Sequence, residues 1–314
     1  MNRPFFALGL ALLGACTRTP DTSNVSPPAS ATPPASAPSP SARAALPAVP
    51  EGSTSCGALS CLQFSSPESA FRYVIASRPL VLAVGEAHAQ KGKESVDSCA
   101  KRFSSTFLPF LQGKASDLVL ELMMPNATCK KKTERVREKQ KPVTSQQAAG
   151  NQNEYVAMGD RARGLAIVPD LLRPSCVDLD AIDKAGDDAI PTFLETIARL
   201  TRTQAGKLIE RNANTPADSG KMVVTYGGVL HNDRQPSADR AAWSFGPQLS
   251  QRAGGRYVEL DLFVPEFIED NDTWRKLPWF AHYDRDKLGD QTTLYELQPG
   301  TFALIFPRSG DPTP

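Results

Sequence analysis

The sequence has 314 residues, a net charge of +1 and a pI near 7.6. A chain of this length can bury a large core. A charge so close to zero gives no support for nucleic-acid binding, so we expect no nucleic-acid partner. A small-molecule or peptide substrate is expected, but the sequence does not identify it.

The N-terminus has the pattern of a lipoprotein export signal. Arg3 precedes an apolar run that ends at Leu13 and is too short to span a bilayer, and small residues then lead to Cys16. Residues 1–15 are therefore predicted to be a signal peptide, and Cys16 is predicted to carry a lipid. This lipid would be the only membrane anchor, in the bacterial cell envelope. The outer membrane is favoured over the inner, because Thr17 is not the aspartate that often retains lipoproteins at the inner membrane.

Residues 16–50 consist mostly of Ser, Ala, Pro and Thr, and such a segment cannot bury enough apolar surface to fold. It is predicted to be a disordered linker that leads to a single domain at residues 51–314. Five cysteines follow Cys16. Since an exported protein can form disulfides and five is odd, at least one thiol is predicted to stay unpaired.

The first half of the domain predicts a βαβ unit. Ser66 and Pro67 have the residue types that begin a helix. Residues 80–84 form a fully apolar run, which is typical of a strand buried on both faces. A helical apolar spacing follows over residues 96–110, and residues 117–120 repeat the strand pattern.

The basic run over residues 130–141 is interpreted as a solvated loop or exposed helix rather than a binding patch. Beyond it the apolar spacing predicts further elements: helices at 187–211 and 238–251, strands at 222–226 and 257–263, and a hairpin over 293–306 that turns at Pro299-Gly300. The predicted fold class is α/β, with a mostly parallel central sheet flanked by helices and with antiparallel strands late in the chain.

Four polar residues follow the predicted parallel strands. Gly85-Glu86-Ala87-His88 follows the first, Glu121 the second, and Gly228-Val229-Leu230-His231 the third. The carboxyl ends of parallel strands meet at one edge of a sheet, so we expect one site there, with both glycines letting the chain turn sharply. Glu and His donors suit a divalent metal (Mn, Zn, Co or Fe) or a metal-free acid–base pair.

Local alternatives remain open for each of these residues. Glu86 could cap a helix, each histidine could be a hydrogen-bonded, semi-buried residue, and Glu121 could pair with Arg102 or Arg163.

These motifs resemble the superfamily that contains the erythromycin esterases, the ChaN-type haem-binding lipoproteins and the Tiki/TraB proteins. The resemblance implies that Glu86, His88, Glu121 and His231 line one cleft at the strand ends. It also implies two activities, since Tiki-like members are metal-dependent hydrolases and ChaN-like members bind haem.

The preferred hypothesis is a metal-dependent hydrolase in which the four residues hold a metal that activates water, with Glu121 left to shuttle the proton. The alternatives are a haem- or iron-binding lipoprotein without catalysis and a scaffold with a degenerate site. Two secondary candidates are Tyr226, whose phenol could bind haem iron, and His282, which could complete a metal shell.

Overall fold

The computed structural model of the protein describes residues 52–309. The predicted signal peptide, the predicted lipid attachment at Cys16 and the predicted linker lie outside the described residues. Within residues 52–309, no helix is both long and apolar enough to cross a membrane.

The described residues form one sheet of nine strands, all connected by hydrogen bonds. The strands in chain order are β1 (Ser53–Gly57), β2 (Cys61–Phe64), β3 (Val81–Glu86), β4 (Ala115–Met123), β5 (Val168–Leu172), β6 (Met222–Gly228), β7 (Tyr257–Phe263), β8 (Thr292–Gln298) and β9 (Thr301–Ile305).

Eight α-helices lie between these strands within residues 52–309. They are α1 (Pro67–Ile75), α2 (Cys99–Arg102), α3 (Lys130–Thr144), α4 (Asn151–Gly164), α5 (Cys176–Lys184), α6 (Ala189–Asn214), α7 (Gly246–Arg252) and α8 (Arg285–Leu288).

The strand order across the sheet is β1-β2-β8-β9-β7-β3-β6-β4-β5. All neighbours from β9 to β5 are parallel, and β1, β2 and β8 add an antiparallel edge. The predicted α/β class with a mostly parallel sheet is therefore confirmed. The order places β6 between β3 and β4, so the three strands expected to carry the site are neighbours.

The two faces of the sheet bury different side chains, because successive residues of a strand point to opposite sides. On the first face, Leu82, Leu120 and Val224 pack against α1, α2 and α4. On the second face, Val119 and Val223 pack against α6 and α7. A site at the strand ends therefore receives side chains from two separate layers.

Several boundaries differ from the sequence-based expectations. The predicted helix at 96–110 is divided into α2, a π-helical turn (Phe103–Phe107) and a 3-10 turn (Leu108–Leu111), since Pro109 cannot continue an α-helix. The helix predicted at 238–251 begins as α7 only after Ser244 and Phe245. The basic run forms α3, the exposed helix that was one of its two interpretations.

Strands β1, β2 and β5 were not predicted. In β5, Pro169 interrupts the apolar pattern, which a strand at the sheet edge tolerates.

The cysteines form two disulfides in the described residues, Cys56–Cys61 and Cys129–Cys176. The second joins the chain that follows β4 to the start of α5. Cys99 is a buried free thiol. The odd number of cysteines had predicted at least one unpaired thiol.

Candidate functional site at the carboxyl ends of β3, β6 and β4

The site is organised around the two glycines that end β6. Glu86 of β3 is in register with Gly228, and Leu120 of β4 is in register with Tyr226, so Glu121 lies beside Gly227. Glu86 points to the face covered by α1, α2 and α4, and Glu121 points to the opposite face. Because Gly227 and Gly228 have no side chains, Glu86 and Glu121 can lie close to the end of β6, one on each side of the sheet.

His88 and Glu86 form the first pair. The Nδ1 atom of His88 lies 2.7 Å from Oε1 of Glu86, and only 2% of the Glu86 side chain is exposed against 29% for His88. A carboxylate only accepts hydrogen bonds, so Nδ1 of His88 carries the proton and Nε2 is left as an acceptor. Glu86 therefore fixes the tautomer and the direction of the histidine ring.

The surroundings raise the pKa of His88 above its ordinary value. Burial acts in the opposite direction and is the largest single effect, because it disfavours the charged ring. The hydrogen bond and the negative charge of Glu86, together with the charge of Glu121, outweigh it. His88 therefore has the electrostatics of a base that holds a proton more firmly than a free histidine does.

His231 and Glu121 form the second pair. Nδ1 of His231 donates to the backbone carbonyl of Trp243 at 2.6 Å, which leaves Nε2 as an acceptor. This Nε2 lies 3.7 Å from Oε1 of Glu121, while Oε2 of Glu121 accepts from the backbone N–H of Gly228 at 2.7 Å. A separation of 3.7 Å is longer than a hydrogen bond, so Nε2 of His231 and Oε1 of Glu121 lie near each other without a direct bond.

The two pairs meet above Gly228. A Cβ atom placed on Gly228 would lie 3.3 Å from Nε2 of His88 and 3.7 Å from Oε2 of Glu121. The structure therefore brings Glu86, His88, Glu121 and His231 to one edge of the sheet. Beneath them, a cavity of about 10 Å³ is lined by Glu121, His231 and Thr225, among others. That volume is about what one water molecule needs.

The glycines leave room for neighbouring side chains and do not adopt a special turn conformation. Gly85 and Gly228 were expected to let the chain turn sharply, yet neither has a positive φ. A Cβ on Gly227 would lie 2.3 Å from Oε2 of Glu121, far inside contact distance. Glycine is needed at the end of β6 because the Glu121 side chain lies directly against the backbone there.

The alternative of an arginine partner for Glu121 is not what the structure shows. Arg102 donates to the carbonyls of Asp97 and Pro307, and Arg163 pairs with Asp160. Glu86 does not cap a helix, since it is the last residue of β3. The histidines do have hydrogen-bond partners at Nδ1, as that alternative proposed, but in each ring Nε2 is left without one.

The predicted metal does not fit the side chains as they are arranged. Within residues 52–309, no group of three or more His, Cys, Asp or Glu side chains is placed to hold a metal ion. Both oxygens of Glu86 already accept hydrogen bonds, so this predicted ligand is engaged. The metal therefore stays a prediction from the sequence.

The two secondary candidates have different positions. Tyr226 is buried, and its hydroxyl donates to Oε2 of Glu86 at 2.6 Å, so this phenol is engaged inside the protein. His282 lies in a short 3-10 turn (Phe280–His282) with an exposed side chain, and it forms no hydrogen bond or ion pair with the four site residues in the described part of the chain.

Sequence reasoning missed Tyr155 and the carbonyl of Trp243. Tyr155 donates to Oε1 of Glu86 at 2.9 Å from helix α4. The sequence around it has no clear apolar period, so nothing marked this tyrosine as facing the sheet. A backbone carbonyl has no sequence signature at all.

A pair of buried carboxyl groups lies behind the His231 loop. Asp261 accepts from Asn232 at 2.8 Å, and Glu259 accepts from the backbone N–H of Arg234 at 3.0 Å and from the hydroxyl of Thr301. Burial, together with their mutual repulsion and the charge of Asp233, raises the pKa of Glu259 to about 9. Burial and Asp233 raise the pKa of Asp261 to about 7, against the hydrogen bond from Asn232.

We expect stability to fall as the pH rises through this range. Both folded-state pKa values lie above those of the unfolded chain, so the folded protein binds more protons, and the stabilisation is lost on deprotonation. The melting temperature should drop between pH 6 and pH 9, and Glu259→Gln should flatten that decline by several degrees at pH 9. Glu210→Gln, which changes an exposed ion pair with Arg252, is the matched control. An equally steep decline in Glu259→Gln would contradict this account.

Comparisons with protein-family models, with curated proteins and with solved structures gave no match. The superfamily resemblance therefore remains an inference from the strand-end motifs.

Proposed function

We propose that the protein is a hydrolase of ester or amide bonds that uses two His–Glu pairs as acid and base. The observation that supports this most is the hydrogen bond of 2.7 Å between Nδ1 of His88 and Glu86, which leaves Nε2 as an acceptor beside Gly228, where Glu121 also lies. A base with a fixed tautomer next to a second His–Glu pair provides the two groups that general acid–base catalysis requires.

His88 is the general base. Its ring is the more exposed of the two histidines, so a substrate carbonyl and a water molecule can reach Nε2. Nε2 takes a proton from the water as the water oxygen attacks the carbonyl carbon. Glu86 then stabilises the imidazolium through the hydrogen bond at Nδ1.

Glu121 and His231 supply the second proton. When the tetrahedral intermediate collapses, the leaving oxygen or nitrogen needs a proton, and in this proposal Glu121 of the second pair donates it. The backbone N–H of Gly228 holds Oε2 of Glu121 in place during this transfer. The proton on His88 then returns to the second pair, directly or through solvent, which restores the starting state.

The site would act at the cell envelope if Cys16 carries the predicted lipid. The haem-binding alternative has less support, because the phenol of Tyr226 is buried against Glu86.

The test is hydrolysis of defined probes by the purified full chain. We expect saturable hydrolysis of p-nitrophenyl acetate, p-nitrophenyl butyrate or a peptide p-nitroanilide, and we expect it to persist after dialysis against a chelator. Activity that disappears on chelation and returns with Zn²⁺ or Mn²⁺ would instead support the metal-dependent hypothesis. A Soret band without turnover would support haem binding, and the absence of all three signals would contradict the enzyme proposal.

A further inference from the structure

Two buried tyrosines converge on the carboxylate of Glu86, and the steps proposed above do not use them. Tyr155 donates to Oε1 at 2.9 Å and Tyr226 donates to Oε2 at 2.6 Å. Both phenols must be protonated donors, since the carboxylate can only accept. Burial and the charge of Glu86 raise the pKa of both tyrosines well above the ordinary value, which keeps the two protons in place.

The tyrosines reach Glu86 from two different elements. Tyr155 comes from α4 and Tyr226 from β6, and the two rings contact each other edge to face with centroids 5.5 Å apart. Phe103 packs against Tyr226 at 4.8 Å. Neither ring can rotate away without disturbing the core, so the two hydroxyl groups are fixed points.

A buried carboxylate is costly unless donors surround it, and three donors surround this one. Tyr155 and His88 share Oε1, while Tyr226 holds Oε2. The plane of the carboxylate is thereby set, and only one direction remains from which the ring of His88 can approach.

We propose that Tyr155 and Tyr226 are positioning residues that hold Glu86 as a fixed acceptor and so set the ring direction and the tautomer of His88. The catalytic role of this arrangement rests on the proposed function. The orientation of His88 is a property of the folded protein and can be measured without a substrate.

The two tyrosines should differ in their influence on His88. Tyr155 competes with Nδ1 of His88 for the same oxygen, so removing its hydroxyl leaves Oε1 to the histidine alone and favours the protonated ring. Tyr226 acts on the other oxygen and should matter less. The other ionisable groups that bear on this pair are Glu121 on the His88 side and Glu154 and Cys99 on the Glu86 side, and none of them changes in either variant.

The experiment is an NMR titration of the histidine rings in the full chain. Only three histidines are present, so each signal can be assigned with one His→Gln variant. We expect Tyr155→Phe to raise the pKa of His88 by about half a unit or more, Tyr226→Phe to raise it less, and His282 to stay unchanged. Tyr257→Phe is the matched control, because this buried phenol donates at 2.6 Å to the carbonyl of Asn232 and does not hydrogen-bond to Glu86.

A purely structural role for the tyrosines would leave the His88 titration the same in Tyr155→Phe and Tyr257→Phe, and that result overturns the proposal. The wild-type protein gives a second, independent readout, because the ¹⁵N shifts must show neutral His88 with its proton on Nδ1. A proton on Nε2 also overturns it. Absence of turnover in wild type, with these NMR results intact, would instead count against the proposed function alone.

Discussion

Replacing His88 with glutamine is expected to lower kcat for the ester probe by about a thousandfold, which lies within the range for loss of a general base. The ring of His88 is partly exposed and a glutamine amide can still donate to Glu86, so the melting temperature should change little. The measurements are steady-state kinetics and thermal unfolding of the same preparation.

His282→Gln is the control for this prediction, because His282 is an exposed histidine outside the site. It should retain wild-type kinetics. If His88→Gln and His282→Gln are equally active, His88 is not the base, and the site performs no acid–base chemistry of the kind proposed.

The second large effect is expected from Gly227→Ala. The new Cβ would lie 2.3 Å from Oε2 and 2.9 Å from Cβ of Glu121. Rotation of the carboxylate relieves the first contact, but the second requires β4 and β6 to move apart. Overpacking of this kind costs about 1–3 kcal/mol, which corresponds to a melting temperature lower by roughly 2–10 °C in a domain of this size.

The activity of Gly227→Ala should fall even where the protein is still folded, because a displacement of Glu121 by about 1 Å can cost roughly a hundredfold in rate. Gly164→Ala is the matched substitution, since a Cβ at Gly164 meets no atom within 4 Å. It should leave both the melting temperature and the rate near wild type. Wild-type activity in Gly227→Ala would show that the position of Glu121 does not matter.

The strand ends could be predicted from the sequence because their signal is local. The run at residues 80–84 is apolar without interruption, and the run at 222–226 is interrupted only by Thr225. Both patterns favour a strand buried on both faces, and parallel pairing then brings Glu86 and His231 to one edge. The order of the strands was not contained in this argument. The position of β6 between β3 and β4 follows from long-range packing that no local pattern records.

The division of the site into two pairs was also beyond the sequence. Whether Glu86 and Glu121 point to the same face or to opposite faces depends on the register between β3, β6 and β4. A shared metal shell was expected from the residue types and from their positions at the strand ends. Tyr155 and Tyr226 show why that was incomplete, since a ligand's availability depends on which donors already hold it.

The measurement that tests the central claim most directly is the pH dependence of kcat/KM for the metal-depleted full chain. A protonated His88 cannot accept a proton from water, so the rate must fall as the pH falls through the pKa of His88. Glu86 and Glu121 raise that pKa, so the midpoint should lie above the ordinary histidine value of about 6.5. The account predicts that this midpoint coincides with the pKa of His88 from the NMR titration and moves with it in Tyr155→Phe. Loss of all activity on metal depletion would contradict it. So would a midpoint that differs from the pKa of His88 measured by NMR.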